Sequence, residues 1–371
     1  MASRLSRIAG HLLVQVTLVA GIGCTLPRPE PANSLGSLPP GWSRIAGGPG
    51  TGCAQDSSFA FFARPGSHRK VAIHFQGGGA CWNSENCDPQ GRGATFHARV
   101  DSTDDPSRLA GIFDLSNPQN PIRDYSIVFV PYCTADLALG ARTVTYSTPG
   151  TTDAPERRFQ IRHQGSANAE RVLAWVFAHF PDPDLVFVLG ESAGAVATPL
   201  NASRIARHYP RARVVQLGDA AGGFRAGAVP GLLAHWGATG LLQRDDAFRS
   251  IDSAAMTLET LYVVAARTTP RVTFAQVNSA EDAVQLAYLR MLGVRGVRLQ
   301  PLLAEDLADI RRANPGLRTY TAPGRRHGIL EVAEFYTLAV DGIGFRDWVA
   351  GLLDGAPTPD VGQALLAGSG P

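Results

Sequence analysis

A serine flanked by small residues is the feature of this chain with the clearest chemical meaning. Gly190-Glu191-Ser192-Ala193-Gly194 has the spacing G-x-S-x-G and directly follows the apolar run 185–189. This order predicts a nucleophile elbow, a sharp strand-to-helix turn that exposes the serine hydroxyl above a sheet. The alternative is an ordinary turn in which the serine only caps the next helix. The helix-like run 193–208 favours the nucleophile.

A nucleophilic serine needs a histidine to remove its proton and an acid to hold that histidine in one tautomer. Of the nine histidines, His327 is the best candidate, because it lies in a loop after the last predicted strand. In α/β-hydrolases the chain order is nucleophile, acid, histidine, as His327 requires. The alternative is a surface histidine in a basic turn.

Two aspartates are candidates for the acid. Asp219 and Asp282 each follow a predicted strand, so both can reach the same edge of a sheet. Asp219 could equally cap a turn or organise the floor of a pocket, and Asp282 could serve as an N-cap or first-turn residue of a helix. Spacing alone leaves the choice open.

A run of glycines has the composition expected of a loop that binds the oxyanion formed during ester cleavage. Gln76-Gly77-Gly78-Gly79-Ala80 directly follows the apolar run 71–75 and resembles the oxyanion loop of lipases and esterases. We expect the N–H groups of Gly78, Gly79 and Ala193 to bind the oxyanion. A phosphate-binding loop is the alternative, but no Lys-Ser/Thr follows and the G-x-G-x-x-G pattern is absent.

The elements that must position these residues alternate between short β-rich runs and longer helical runs. This alternation predicts an α/β fold in one domain, with a mainly parallel central sheet flanked by helices. The predicted strands are 71–75, 127–130, 185–189, 213–217, 271–277 and 317–321, and the clearest predicted helices are 167–180, 193–208, 282–292 and 302–313.

The N-terminal residues differ in character from the rest. Arg4 and Arg7 precede the apolar run 8–22, and this layout predicts an export signal over residues 1–24. We expect a proline-rich linker over 25–40, the catalytic domain over 41–353 and a flexible tail over 354–371. The protein would then be secreted or periplasmic. Lipid attachment at Cys24, giving a membrane-anchored lipoprotein, is the alternative.

Charge and cysteine content limit the partners and cofactors. The net charge is +2, and no basic stretch with interleaved aromatic residues occurs, so nucleic acid is not an expected partner. Four cysteines remain after the signal region (Cys53, Cys81, Cys87 and Cys133), and an even number in an exported chain predicts two disulfides. Three pairings are open, and the short intervening loop favours Cys81 with Cys87. Zinc is the competing use, but a second close Cys/His pair is missing, so we expect no metal.

Several sequence blocks together resemble the pectin acetylesterase and Notum carboxylesterase family. The segment 74–88 is similar to the family's oxyanion block, and 190–194 is similar to its serine motif. Residues 278–285 are similar to its acid block, in which the aspartate precedes a glutamine by three residues, and this favours Asp282 over Asp219. Further blocks match at 130–136 and 165–168, and the resemblance runs from about residue 41 to 349.

This resemblance implies an α/β-hydrolase-like fold, a triad of Ser192, Asp282 and His327, and no cofactor. It also implies the disulfides Cys81–Cys87 and Cys53–Cys133. The chain departs from plant members by carrying Glu191 where they have a cysteine before the serine, and the histidine loop lacks a neighbouring cysteine. A third disulfide is therefore not expected, and the chain resembles a bacterial branch.

The expected function is that of an exported, monomeric serine carboxylesterase. Its substrate would be a short acyl ester, such as an acetyl group on a polysaccharide or on a small molecule. Four residues could line a substrate pocket, although aromatic side chains are more often core: Trp82, Phe96, His97 and Trp236. The alternative is a non-catalytic protein that keeps the fold and binds a glycan or a cell surface. Thioesterase or peptidase activity could use the same machinery.

Overall fold

The computed structural model describes residues 38–91, 93–150 and 155–367. The predicted export signal, Cys24 and most of the predicted linker lie outside the described residues.

Most strands of the described residues belong to one central sheet. The strands are β1 Ser43–Ala46, β2 Ala60–Arg64, β3 Ser67–Phe75, β4 Tyr125–Val130, β5 Arg142–Thr148, β6 Arg157–His163, β7 Leu185–Glu191, β8 Arg213–Asp219, β9 Thr273–Ser279, β10 Arg318–Ala322, β11 Ala339–Val340 and β12 Ile343–Gly344.

The central sheet has eight strands in the order β1-β2-β4-β3-β7-β8-β9-β10. Strands β4, β3, β7, β8, β9 and β10 are parallel neighbours, and β1 and β2 add an antiparallel edge. Because parallel strands end at the same edge, the residues that follow β3, β7, β8, β9 and β10 are brought together there. All the predicted catalytic residues follow one of these strands.

The α-helices of the described residues differ widely in length. They are α1 Ser84–Cys87, α2 Gly165–His179, α3 Ala193–His208, α4 Val229–His235, α5 Ala238–Leu242, α6 Asp246–Arg249, α7 Leu258–Thr268, α8 Ala283–Met291, α9 Leu299–Ala313 and α10 Phe345–Asp354. Single 3₁₀ turns occur at Ser102–Asp104, Pro106–Arg108, Gly111–Phe113, Ser253–Ala255, Ala333–Phe335 and Gln363–Leu365.

Two hydrophobic layers cover the sheet. Along β7, Val186 and Val188 point into the layer that α2 and α3 cover, while Phe187 and Leu189 point into the layer that contains Trp348 of α10. Side chains alternate between the two faces of a strand, so a strand buried on both sides reads as a continuous apolar run. The helices on both faces fix the positions of the strand ends.

The predicted mainly parallel sheet flanked by helices is confirmed. Each predicted strand corresponds to an observed one with shifted ends, for example 271–277 against Thr273–Ser279. The helix predicted over 193–208 has those bounds. The antiparallel edge, the hairpin of β5 and β6, and α10 were not predicted.

The C-terminal segment, for which the sequence predicts a flexible tail, packs in part on the central sheet. Val361 is fully buried, and its backbone bonds to Thr319 and Thr321 of β10. The carboxylate of Asp360 accepts hydrogen bonds from Thr319 and Arg311. A glycine- and proline-rich composition therefore does not leave residues 355–367 unpacked, because one buried valine and one aspartate attach them to the sheet.

Within the described ranges, none of the helices combines the length and apolar character needed to cross a membrane.

Candidate active site

Ser192 occupies a strained turn between β7 and α3. Its backbone has φ 52° and ψ −122°, a conformation that costs a non-glycine residue on the order of 1–3 kcal/mol and persists only where the surroundings enforce it. The Ser192 N–H donates to the carbonyl oxygen of Asp219 at 2.7 Å. The residue is partly exposed, so the turn presents its side chain at the sheet edge.

The two glycines of the motif are required by close packing. A Cβ atom added to Gly190 would lie 2.8 Å from the carbonyl oxygen of Phe75, and one added to Gly194 would lie 2.1 Å from the same oxygen. Real Cβ atoms do not approach so closely, so any larger residue would push α3 away from β3. The G-x-S-x-G spacing therefore reflects how tightly the elbow packs against the end of β3.

The glycine loop after β3 lies against the elbow. A Cβ on Gly77 would be 3.0 Å from the Ser192 Cβ. One on Gly79 would be 2.0 Å from the carbonyl oxygen of Thr95, and one on Gly78 would be 2.5 Å from the ring of Tyr132. The loop is thus held close to Ser192, with no room for side chains at these positions.

Contacts on the far side fix the shape of this loop. The Gly78 carbonyl accepts a hydrogen bond from the His97 N–H at 2.8 Å. The Tyr288 hydroxyl accepts from the Ala80 N–H at 3.3 Å and donates to the Thr95 carbonyl. Tyr288 lies on α8, so this helix contacts the glycine loop.

Two disulfides brace the same region. Cys81 is bonded to Cys87, and Cys53 is bonded to Cys133, which is the pairing that the family resemblance implies. The Cys81 carbonyl also accepts a hydrogen bond from the Trp236 indole at 2.9 Å. The chain after the glycine loop is therefore tied down directly beyond Ala80.

His327 is bonded to one of the two candidate acids. Its Nδ1 lies 2.8 Å from Oδ2 of Asp282, which is fully buried. Oδ1 of Asp282 accepts the N–H groups of Val284 and Gln285 at 2.8 and 2.9 Å. Asp282 is thus both the N-cap of α8 and the partner of the imidazole. The helix-cap role and the predicted role as the acid beside the histidine are therefore compatible.

The other aspartate holds the backbone beyond the histidine. Oδ2 of Asp219 accepts the N–H groups of Ile329 and Leu330 at 2.6 and 2.8 Å. Burial raises the pKa of the Asp219 carboxyl to about 7. Of the two candidates that spacing left open, Asp282 contacts the imidazole and Asp219 shapes the loop that carries it.

Ser192 and His327 line one open cleft. The glycine loop forms one wall, and Tyr288, Glu191 and Glu331 contribute to the others. Phe96 and His97, two of the four residues expected to line a pocket, also lie here. No sequence motif predicts that Glu331 lies in this cleft. Glu191 lies inside the serine motif, but the motif does not specify the residue type at this position.

A second, apolar pocket opens from Ser192. Trp82 and Trp236, the other two expected lining residues, belong to it. Most of the remaining wall was not predicted and comes from helices α3, α4 and α7 and from nearby loops: Leu137, Val196, Phe224, Val229, Leu232, Leu233, Leu258 and Leu292. This pocket offers apolar contact to a chain attached at the serine.

Two groups of side chains in the described part of the chain have the spacing of a metal site. The first joins Cys81, Cys87 and His163, but its sulfur atoms form a disulfide and provide no thiolate ligands. The second joins His97, Asp101 and Asp104, where Asp104 lies 3.3 Å from His97 and accepts the Asp101 N–H. The carboxylate of Asp101 accepts hydrogen bonds from Thr103, so contacts within this loop already occupy both carboxylates.

Part of the chain is similar to known carboxylesterases. A family model described as Pectinacetylesterase matches residues 46–228. The palmitoleoyl-protein carboxylesterase NOTUM of Homo sapiens is 28% identical over 163 residues, covering 41% of this chain and 30% of that protein. NOTUM of Schmidtea mediterranea is 25% identical over 165 residues, covering 43% and 29%. The aligned part is thus about three tenths of the length of these relatives.

The family match includes the glycine loop and Ser192 and ends before Asp282 and His327. Asp282 and His327 lie outside the matched range. They follow β9 and β10, which end at the same edge of the sheet as β3 and β7. Over residues 46–228 the chain matches the pectinacetylesterase family, and it is similar to the NOTUM carboxylesterases.

Proposed function

We propose that this protein is a serine carboxylesterase with Ser192, Asp282 and His327 as its triad. One observation carries the proposal: a serine in a strained elbow shares a cleft with an imidazole whose Nδ1 is held by a buried aspartate. Holding Nδ1 as the donor leaves Nε2 as a base for the serine proton. The match of residues 46–228 to the pectinacetylesterase family supports the same reaction.

In this mechanism His327 Nε2 takes the proton of the Ser192 hydroxyl as the oxygen attacks the ester carbonyl. The N–H groups of Gly78, Gly79 and Ala193 receive the developing oxyanion, and one such donor typically contributes about 3–4 kcal/mol to transition-state stabilisation. The imidazolium then gives its proton to the leaving alcohol. Water hydrolyses the acyl-enzyme by the same steps, and Asp282 keeps the imidazole oriented throughout.

The acyl group is proposed to enter the apolar pocket. Sequence considerations favour an acetyl group, but acetyl would use little of a pocket whose wall is almost wholly hydrocarbon. Each methylene buried there contributes about 0.8 kcal/mol. We therefore favour a longer, unbranched acyl chain on a carbohydrate or small alcohol. The NOTUM relatives carry a palmitoleoyl substrate in their names.

The two disulfides support export to an oxidising compartment. We propose a secreted or periplasmic protein, with lipid attachment at Cys24 as the membrane-anchored form. Periplasmic or secreted esters of cell-surface polysaccharides are then accessible substrates.

The test is hydrolysis of p-nitrophenyl esters from acetyl to palmitoyl by the full exported chain, with Ser192→Ala as the matched control. We expect kcat/KM to rise by about fourfold per methylene until the pocket is filled and to vanish in the control. Matched thioester and amide substrates then define the bond that is cleaved. A folded wild-type protein that turns over none of these esters would overturn the proposal and favour a non-catalytic binding protein.

A further inference from the structure

Glu191, the variable residue of the serine motif, packs against the loop that carries the histidine. A Cβ added to Gly328 would lie 2.3 Å from the carboxyl carbon of Glu191 and 2.4 and 2.6 Å from its two oxygens. Gly328 directly follows His327. The carboxyl group therefore lies flat on the backbone next to the catalytic imidazole, in space that only a glycine leaves open.

Other acidic groups surround this carboxyl. Glu331 shares the cleft wall with Glu191, and the buried carboxylates of Asp219 and Asp282 act on it electrostatically. Basic groups at this edge include His327, bonded to Asp282, and His97, which lines the same cleft. His74 of β3 also lies here, with its Nε2 3.0 Å from Oε1 of Glu331 but outside hydrogen-bond geometry.

The polar atoms of this group lack donors. Among the described residues, Oε2 of Glu191, Oδ1 of Asp219 and Oε1 of Glu331 are buried and accept no hydrogen bond. Buried acceptors with no donor are unfavourable, because each loses its hydration without replacement, and Oε1 of Glu331 has only the His74 imidazole beside it. A proton on one carboxyl would convert an acceptor into a donor.

The surroundings of Glu191 favour a proton on this carboxyl. Burial, followed by the charges of Glu331, Asp219 and Asp282, raises the pKa of Glu191 well above its ordinary value. Asp219 accepts hydrogen bonds from two backbone N–H groups. Asp282 accepts hydrogen bonds from two backbone N–H groups and pairs with the His327 imidazole. Among the described contacts, Oε2 of Glu191 accepts no hydrogen bond that would stabilise its charged form.

We propose that Glu191 is a positioning residue that works as a neutral carboxylic acid, supporting Gly328 so that His327 stays within reach of Ser192, and that its ionisation at alkaline pH displaces this loop. The inference rests on the proposed esterase function. Glu191 acts through the histidine loop and takes no part in proton transfer to the substrate.

The test compares Glu191→Gln and Glu191→Ala by the pH dependence of kcat on the best p-nitrophenyl ester. Glutamine keeps the volume and supplies a donor without a charge. We expect its kcat near neutrality to stay within about threefold of wild type and its alkaline decline to disappear. Alanine should lower kcat by about tenfold or more with little change in KM, as expected for misplacement of a catalytic group.

The matched control is Glu170→Gln on α2, whose exposed carboxylate pairs with Arg204 at 3.6 Å. It should leave kcat and the alkaline limb unchanged. The inference is overturned if Glu191→Gln loses as much kcat as Glu191→Ala, because the ionised form would then be the active one. It is also overturned if Glu191→Gln keeps the wild-type alkaline decline.

A stability measurement separates this inference from the esterase proposal. A carboxyl whose pKa is raised in the folded state makes folding less favourable as pH rises above its unfolded pKa. Wild type should therefore lose unfolding free energy relative to Glu191→Gln as pH increases, with no change in their difference at acidic pH. If wild type hydrolyses no ester but shows this divergence, the esterase proposal fails and the neutral Glu191 stands. A difference that is constant with pH would refute the neutral carboxyl.

Discussion

His327 Nδ1 and Asp282 Oδ2 lie 2.8 Å apart although 45 residues separate them in sequence. The other oxygen of the same carboxylate caps α8. The helix cap fixes the carboxylate, and the carboxylate fixes the imidazole, so a local helix signal determines the geometry of a long-range contact. Asp282 can therefore be altered in a way that separates its two contributions.

Asp282→Asn is expected to lower kcat by roughly 10²–10⁴-fold with a small loss of stability. The asparagine oxygen can still cap α8, because Asn is as good an N-cap as Asp. Its amide cannot hold the imidazole with Nδ1 protonated, so the catalytic tautomer is lost. The measurement is kcat for a p-nitrophenyl ester beside the urea midpoint. Asp252→Asn, which alters an exposed cap of a 3₁₀ turn, is the control and should change neither. Unchanged kcat in Asp282→Asn would exclude this residue as the triad acid.

Asp219→Asn should alter the pH dependence of stability. Burial raises the pKa of this carboxyl from 3.8 to about 7, so between these values the folded state binds more protons than the unfolded state. The unfolding free energy of wild type should therefore fall with rising pH relative to the variant, mostly between about pH 4 and about pH 7. Urea denaturation at several pH values measures it. A pH-independent difference would contradict the raised pKa.

Leu232→Trp should shorten the acyl chain that the enzyme accepts. Leu232 of α4 is partly exposed and lines the apolar pocket, so a larger ring can enter the pocket without disturbing the sheet. We expect kcat/KM for an octanoyl ester to fall by about tenfold or more relative to acetyl. Leu302→Trp on α9, partly exposed and away from this pocket, should keep the wild-type preference. Equal losses for both esters in Leu232→Trp would show that the acyl chain binds elsewhere.

Local patterns predict the parts of the site that depend on local packing. The glycines around Ser192 and at positions 77–79 are required by contacts within a few ångströms of the turns that they form, so their spacing is visible in the sequence. The sheet strands are predictable for a related reason, since burial on both faces makes each an apolar run.

Other parts of the site depend on which strands become neighbours. Asp219 and Asp282 both follow strands that end at the edge of the sheet where Ser192 lies, and only the tertiary arrangement directs one to His327 and the other to the backbone beyond it. Glu331 has no motif, and its proximity to Glu191 requires β7 and the loop after β10 to meet. The apolar residues of α4 that line the pocket likewise have the sequence pattern of an ordinary buried helix face.

Removing the two disulfides should have different consequences because they close loops of different size. Cys53 and Cys133 are 80 residues apart, and Cys81 and Cys87 are 6 apart. Chain entropy then predicts losses of about 4.5 kcal/mol for Cys53→Ser with Cys133→Ser and about 2 kcal/mol for Cys81→Ser with Cys87→Ser. The second bond directly follows the glycine loop, so its removal should also lower kcat in protein that remains folded. Urea unfolding and ester hydrolysis under the same conditions measure both effects. If the smaller loop proved the more stabilising, or if its removal left kcat intact, the bond would not be what holds the oxyanion loop in place.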